Sequence, residues 1–152
     1  MIKIIKTDAS NKDFKELVKK LDADLAKKDG DEHAFYDQFN KIDAIKFVVV
    51  AYENEIPLGC GAIKKNSEDA MEIKRMYVSP EHRAKGIATK ILSSLESWAA
   101  EMQFAKCVLE TGKRQPDAIA LYTKNGYRII KNFGQYANVE NSVCFEKIFT
   151  RA

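Results

Sequence analysis

Residues 79–92 read SPEHRAKGIATKIL, Ser79 to Leu92, and decide how the chain around them folds. Ser79-Pro80 halts the apolar, β-branched run AMEIKRMYV at 70–78, and beyond Gly86 apolar residues recur at helical spacing. The stretch therefore joins a strand to a helix. The first amides of a helix have no internal acceptor and carry the positive end of its dipole, so such a junction can hold phosphate or pyrophosphate. RAKGIA does not fit a Walker loop, because Glu81 stands where the first glycine would be, and it does not fit GxGxxG.

Outward from this junction, Ile87, Ala88, Ile91, Leu92, Leu95, Trp98, Ala99 and Met102 predict an amphipathic helix over about 85–102. AKCVLE at 105–110 is a strand entering TGKRQP, and Pro116 opens a helix that stops at Asn125-Gly126. YRII and SVCFEKIF supply two closing strands. Upstream, AIKFVVVAY at 44–52 and LGCGAIKK at 58–65 form a hairpin around ENEIP. Ile2–Ile5 is a first strand. Ser10 or Asn11 then caps a helix carrying Phe14, Leu17, Val18, Leu21 and Leu25, and EHAFYDQFNKI at 32–42 is a second, shorter one. No linker or repeat divides the 152 residues, so the expectation is a single α+β domain over 1–152 around a mixed sheet of about six to seven strands with four helices.

The formal net charge is +3 with both signs interleaved, which argues against nucleic acid as partner. Charges interrupt every apolar run near the N-terminus, giving no signal peptide or membrane span. Cys60, Cys107 and Cys144 are odd in number and lack CxxC spacing, so reduced thiols in a cytoplasmic protein are expected. No metal-ligand spacing appears.

The stretch EIKRMYVSPEHRAKGIA resembles the central strand and pyrophosphate loop of the GCN5-related N-acetyltransferase (GNAT) superfamily, whose signature is R/Q-x-x-G-x-G/A. AIALYTKNGY resembles that family's later helix with its tyrosine. The resemblance implies a three-layer α/β/α fold, splayed central strands and acetyl-CoA as acyl donor. Arg83, Ala84, Lys85, Gly86, Ile87 and Ala88 would hold the pyrophosphate. The backbone of Met76, Tyr77 and Val78 would pair with the pantetheine and supply an oxyanion donor. Two positions depart from the pattern. Ala84 replaces a frequent glycine, which matters if residue 84 needs φ > 0. Gln115 replaces an asparagine that meets the pantetheine arm.

The resemblance further implies acetyl transfer to a primary amine of a small molecule or amino acid by direct attack. An amine with a pKa of about 10 is only about 0.1% neutral at pH 7, a deficit of roughly 4 kcal/mol, so a carboxylate base is wanted. Glu72, eleven residues before Arg83, stands at the spacing where the resemblance places the general base of histone-acetylating members of the family; its structural alternative is an ion pair with Lys74. Glu110, at the end of its strand, competes for the role. Tyr122 matches the tyrosine that donates to the leaving sulfur. A covalent route through Cys60 lacks a paired base, and His33 and His82 read as surface residues. For the acceptor, Asp22, Asp24 and Glu32 would suit a cation, Arg75 or Arg114 a carboxylate, and Tyr36, Phe39, Asn40, Gln135 and Tyr136 complete the candidate wall. Tyr36, Arg75 and Tyr136 are the leading substrate contacts. The alternatives are a non-catalytic acyl-CoA sensor and a peptide or protein amine acetyltransferase. A homodimer is compatible with the resemblance.

Overall fold

The computed structural model describes residues 1–29 and 45–149. Its elements run β1 (Lys3–Thr7), α1 (Lys12–Asp29), β2 (Phe47–Glu53), β3 (Ile56–Lys65), β4 (Ala70–Val78), α2 (Ile87–Glu101), β5 (Lys106–Gly112), α3 (Pro116–Lys124), β6 (Arg128–Ile130) and β7 (Ser142–Ile148). Three α-helices stand among the described residues where four were expected, because the predicted helix at 32–42 lies outside them. One seven-stranded sheet has the order β1-β2-β3-β4-β5-β7-β6, with every neighbouring pair antiparallel except β4 and β5.

The strand period sorts side chains onto two faces. Val48 and Val50 of β2 pack with Phe14, Leu17, Val18 and Leu21 of α1. Val49 and Ala51 point the other way, into a larger core with Ile91, Leu92 and Leu95 of α2. Asn11 caps α1, its side-chain oxygen accepting from the Phe14 amide at 2.9 Å, which settles the choice between Ser10 and Asn11. The hairpin between β2 and β3 turns through Asn54 and Glu55, both at positive φ (51° and 67°), as a tight two-residue turn requires.

Two features of the sheet shape the centre of the molecule. β4 and β5 are paired only over Ala70–Glu72 with Lys106–Val108; both strands continue, but they part. In addition, β4 bulges opposite β3. Cys60 faces Tyr77 and Ala62 faces Lys74, so Arg75 and Met76 share the place opposite Gly61. Arg75 adopts φ +59°, a conformation that costs a side-chain-bearing residue roughly 1–2 kcal/mol. Glycine in β3 makes room for the bulge: a Cβ at Gly61 would lie 2.7 Å from the Met76 sulfur and 2.8 Å from Ile91, and one at Gly59 would lie 2.6 Å from the Tyr77 carbonyl oxygen.

Candidate active site

Where β4 and β5 part, a cavity of about 120 Å³ opens between them. Glu72 stands at the fork, since its pairing with Val108 is the last rung before the gap. Met71 and Ile73 point into the α2 core, so Glu72 and Lys74 project to the face covered by α1. The bulge then turns Arg75 toward α1 as well, where its Nη1 donates to Asp22 Oδ1 at 2.7 Å. On β5, Leu109 belongs to the α2 core, which puts Glu110 on the α1 face. Tyr122 enters from the opposite side: it sits on α3 and packs edge-on to Tyr127 and tilted against Phe145. The gap is thus a passage through the sheet, with carboxylates reaching it from one face and a phenol from the other.

Glu72 is buried and has two close partners. Tyr136 donates to its Oε2 at 3.3 Å, and the Lys74 ammonium lies 3.6 Å from the same oxygen. The sequence-level alternative for Glu72, an ion pair with Lys74, is therefore formed, at a site that also lines the cavity. Burial lowers the pKa of Lys74, with Glu72 opposing it. Glu110 accepts a hydrogen bond from the Ser142 hydroxyl at 2.6 Å. Burial, with the charge of Glu110 adding to it, raises the pKa of Tyr122, so its hydroxyl stays protonated throughout the neutral range.

Of the residues named from sequence, Glu72, Glu110, Tyr122, Met76, Gln115, Arg75 and Tyr136 all line this one cavity. Tyr77 does not: it packs toward α1, beneath the Arg83 guanidinium at 5.5 Å from its ring centre. Arg114 and Gln135 are exposed and do not line the cavity, and Tyr36, Glu32, His33, Phe39 and Asn40 lie outside the described residues. Leu21 and Leu25 of α1 also line it. Their helical spacing marks them as core, and nothing in the sequence separates them from the rest of that stripe. Thr111 and Gly112, expected in the loop after the strand, are its last two residues and form part of the wall.

The loop beyond β4 is built for close approach. Ser79 donates its amide to Leu58 of β3 at 2.9 Å, so by strand alternation the N–H and C=O of Val78 face the open edge. The Val78 carbonyl there accepts from Arg83 Nε at 2.7 Å, and the Arg83 guanidinium also approaches Asp24 at 3.9 Å. Arg83 is thereby folded back against β4 and α1, with Ala84, Lys85 and Gly86 left exposed. Ala84 does require φ > 0, at +64°, and Gly86 follows at +79° as the residue before α2. Helix α2 begins at Ile87, two residues later than its apolar pattern suggests; Ile87 is a core residue, and the Lys90 amide makes the first bond of the helix, to Gly86. The amides of Ile87, Ala88 and Thr89 have no acceptor within the helix.

The three cysteines are buried. Burial pushes the Cys60 and Cys107 thiols up to about 12 and Cys144 to about 11. A thiolate nucleophile at Cys60 is disfavoured, and its Sγ instead donates to the Arg75 carbonyl at 3.4 Å. No group of His, Cys, Asp and Glu among the described residues could hold a metal ion, and no described helix is long and apolar enough to cross a membrane.

A sheet opened at its centre, with a loop and a helix following the strand that parts, defines a class of fold, and the comparisons agree. The model of the acetyltransferase (GNAT) family matches residues 14–127, and the chain belongs to that family. A relative from Azospirillum brasilense named IAA acetyltransferase is 36% identical over 104 residues, spanning 68% of this chain and 67% of its own length. A Klebsiella pneumoniae protein, assigned by inference to the acyl-CoA N-acyltransferases, superposes with a TM-score of 0.82 at 31% identity over 97% of both chains. A GNAT-family acetyltransferase from Elizabethkingia anophelis, solved with acetyl-CoA bound, has a TM-score of 0.71 at 20% identity, covering 97% of this chain and 98% of its own.

Proposed function

We propose that the protein transfers an acetyl group from acetyl-CoA to a primary amine of a small molecule or amino acid, by direct attack with both substrates bound. The observation that carries this reading is the convergence of Glu72, Glu110 and Tyr122 on the gap between β4 and β5. The loop from Arg83 to Ala88 would receive the pyrophosphate, and the open edge at Met76–Val78 would align the pantetheine as an extra strand. Gln115, at the start of α3, faces the same channel.

Glu72 takes a proton from the acceptor ammonium, and the neutral nitrogen then attacks the thioester carbon. The N–C bond forms, the C–S bond breaks, and a second proton leaves the nitrogen. One of the two protons ends on the CoA sulfur and the other reaches solvent through Glu72. The cavity assists deprotonation as it does at Lys74, where burial lowers the pKa of an alkylammonium. Tyr122 supplies the donor for the leaving sulfur. A phenol raised above its usual 10 is a weak acid against a thiol of about 8.5 in water, but burial raises the thiol as well. Cys60 shows the direction of that effect in this fold, its thiol raised by burial.

The backbone amide of Met76 or Val78 on the open edge would hold the developing oxyanion. Glu110 is the second candidate base, held by Ser142 on the same face. The direct test is release of CoA thiol from acetyl-CoA across an amine and amino-acid panel. Acetyl-CoA binding without turnover on any acceptor, peptides included, would favour a sensor and overturn the enzymatic reading.

A further inference from the structure

Arg75 is the least economical residue in the cavity wall. It is 8% exposed and held at φ +59° by the bulge, and its Nε finds no acceptor among the described residues. Strain, burial of a permanent cation and an orphaned donor coincide at one side chain that lines the gap. Such a combination persists where function requires it. Asp22 neutralises one end of the fork through Nη1 but is itself 36% exposed, so the pair opens on the solvent side of α1.

The groups around Arg75 form a polarised lining. Glu72, paired with Lys74, and Glu110 lie toward the fork of the strands, Arg75 lies toward α1, where it meets Asp22, and Leu21 and Leu25 supply an apolar surface beside them. A simple alkylamine would use the carboxylate end and leave the guanidinium Nε without an acceptor. A molecule with an ammonium at one end, a carboxylate at the other and an apolar body would satisfy both ends and cover the leucines. Guanidinium and carboxylate match in planar fork geometry, which a neutral amide does not reproduce.

Resting on the acetyl-transfer reading above, we infer that the acceptor is an amine that also bears a carboxylate, of the apolar amino-acid class, and that Arg75 is the specificity-determining contact for that carboxylate. Asp22 acts as the internal competitor that occupies Arg75 until the acceptor arrives.

The test compares leucine, methionine and phenylalanine with their amides and with the amines that lack the carboxyl group, by thiol release at saturating acetyl-CoA. The acids should be preferred in kcat/KM by about 10- to 100-fold, the range for a hydrogen bond to a charged group. This holds although the amides carry the less basic and more readily deprotonated amine. Arg75→Gln should erase that preference, raising the acid KM by about 10- to 100-fold relative to the amide KM. Asp22→Asn, at a half-exposed position, tests the idea without removing the buried cation: the acid KM should fall several-fold relative to the amide KM. Amides or amines used as well as acids by the unmodified protein would overturn the inference while the acetyl-transfer reading stands. So would an Asp22→Asn variant with unchanged acid KM. Failure of acetyl-CoA to raise the melting temperature would instead remove the underlying reading, and this inference with it.

Discussion

The two faces of the central sheet differ in what holds them together. The face under α2 and α3 is a continuous apolar core running from Val49 through Ile91, Leu95 and Leu109 to Phe145, and Tyr122 stands at its edge. The face under α1 has an apolar end at Phe14, Leu17 and Val48, but toward the gap it becomes a set of buried charges: Glu72, Lys74 and Arg75. The first face is what a fold needs. The second is an arrangement that stability alone disfavours, because buried ion pairs recover their desolvation cost only with good geometry. It lies in the wall of the cavity, where the acetyl transfer is proposed to take place.

The largest expected effect comes from the charged face. Glu72→Gln should reduce kcat/KM at pH 7 by about 100-fold or more, the usual worth of a positioned base, with partial recovery as pH rises toward the pKa of the free amine. Equal activity at all pH values would move the base to Glu110 and leave Glu72 as the partner of Lys74 and Tyr136. From the other face, Tyr122→Phe should lower kcat by about 10- to 100-fold with little change in the KM for acetyl-CoA, since the ring and its contacts to Tyr127 and Phe145 remain.

The apolar face is tested by stability. Gly59→Ala places a Cβ against the Tyr77 carbonyl oxygen, a backbone atom that cannot step aside, and should cost about 2–3 kcal/mol in urea unfolding. A smaller change of opposite sign is expected in the loop. Ala84→Gly relieves about 1–2 kcal/mol of left-handed strain and loses about 0.4–1 kcal/mol through a freer unfolded chain, so the protein should gain up to about 1.6 kcal/mol. The thiols give the smallest signal: with Cys60 and Cys107 at about 12 and Cys144 at about 11, the native protein should react negligibly with a disulfide reagent at pH 8 and fully once unfolded.

The apolar face was readable residue by residue. The helical spacing in α2 and the β-branched run in β2 reflect side-chain periods of 3.6 and 2, which local sequence records directly. Of the site, Glu72, Tyr122 and the Arg83–Ala88 loop were reached through their resemblance to a family pattern. Arg75 was nameable only as one of several cations, because strand alternation alone would have aimed it at α2. Met76 and Tyr77 show the same limit: adjacent in β4, one lines the cavity and the other packs under Arg83.

The local order of residues settled which segments become strands and helices, which faces they bury, and where a turn must break the chain, because these follow from spacing and from the conformations single residues allow. Tertiary structure alone decided that β4 and β5 part after Glu72 and Val108, that the bulge turns Arg75 toward α1, and that Tyr136 meets Glu72 across 64 residues of chain. Those outcomes depend on how distant strands pair and how much room Gly59 and Gly61 leave opposite the bulge. No short stretch of sequence contains that information.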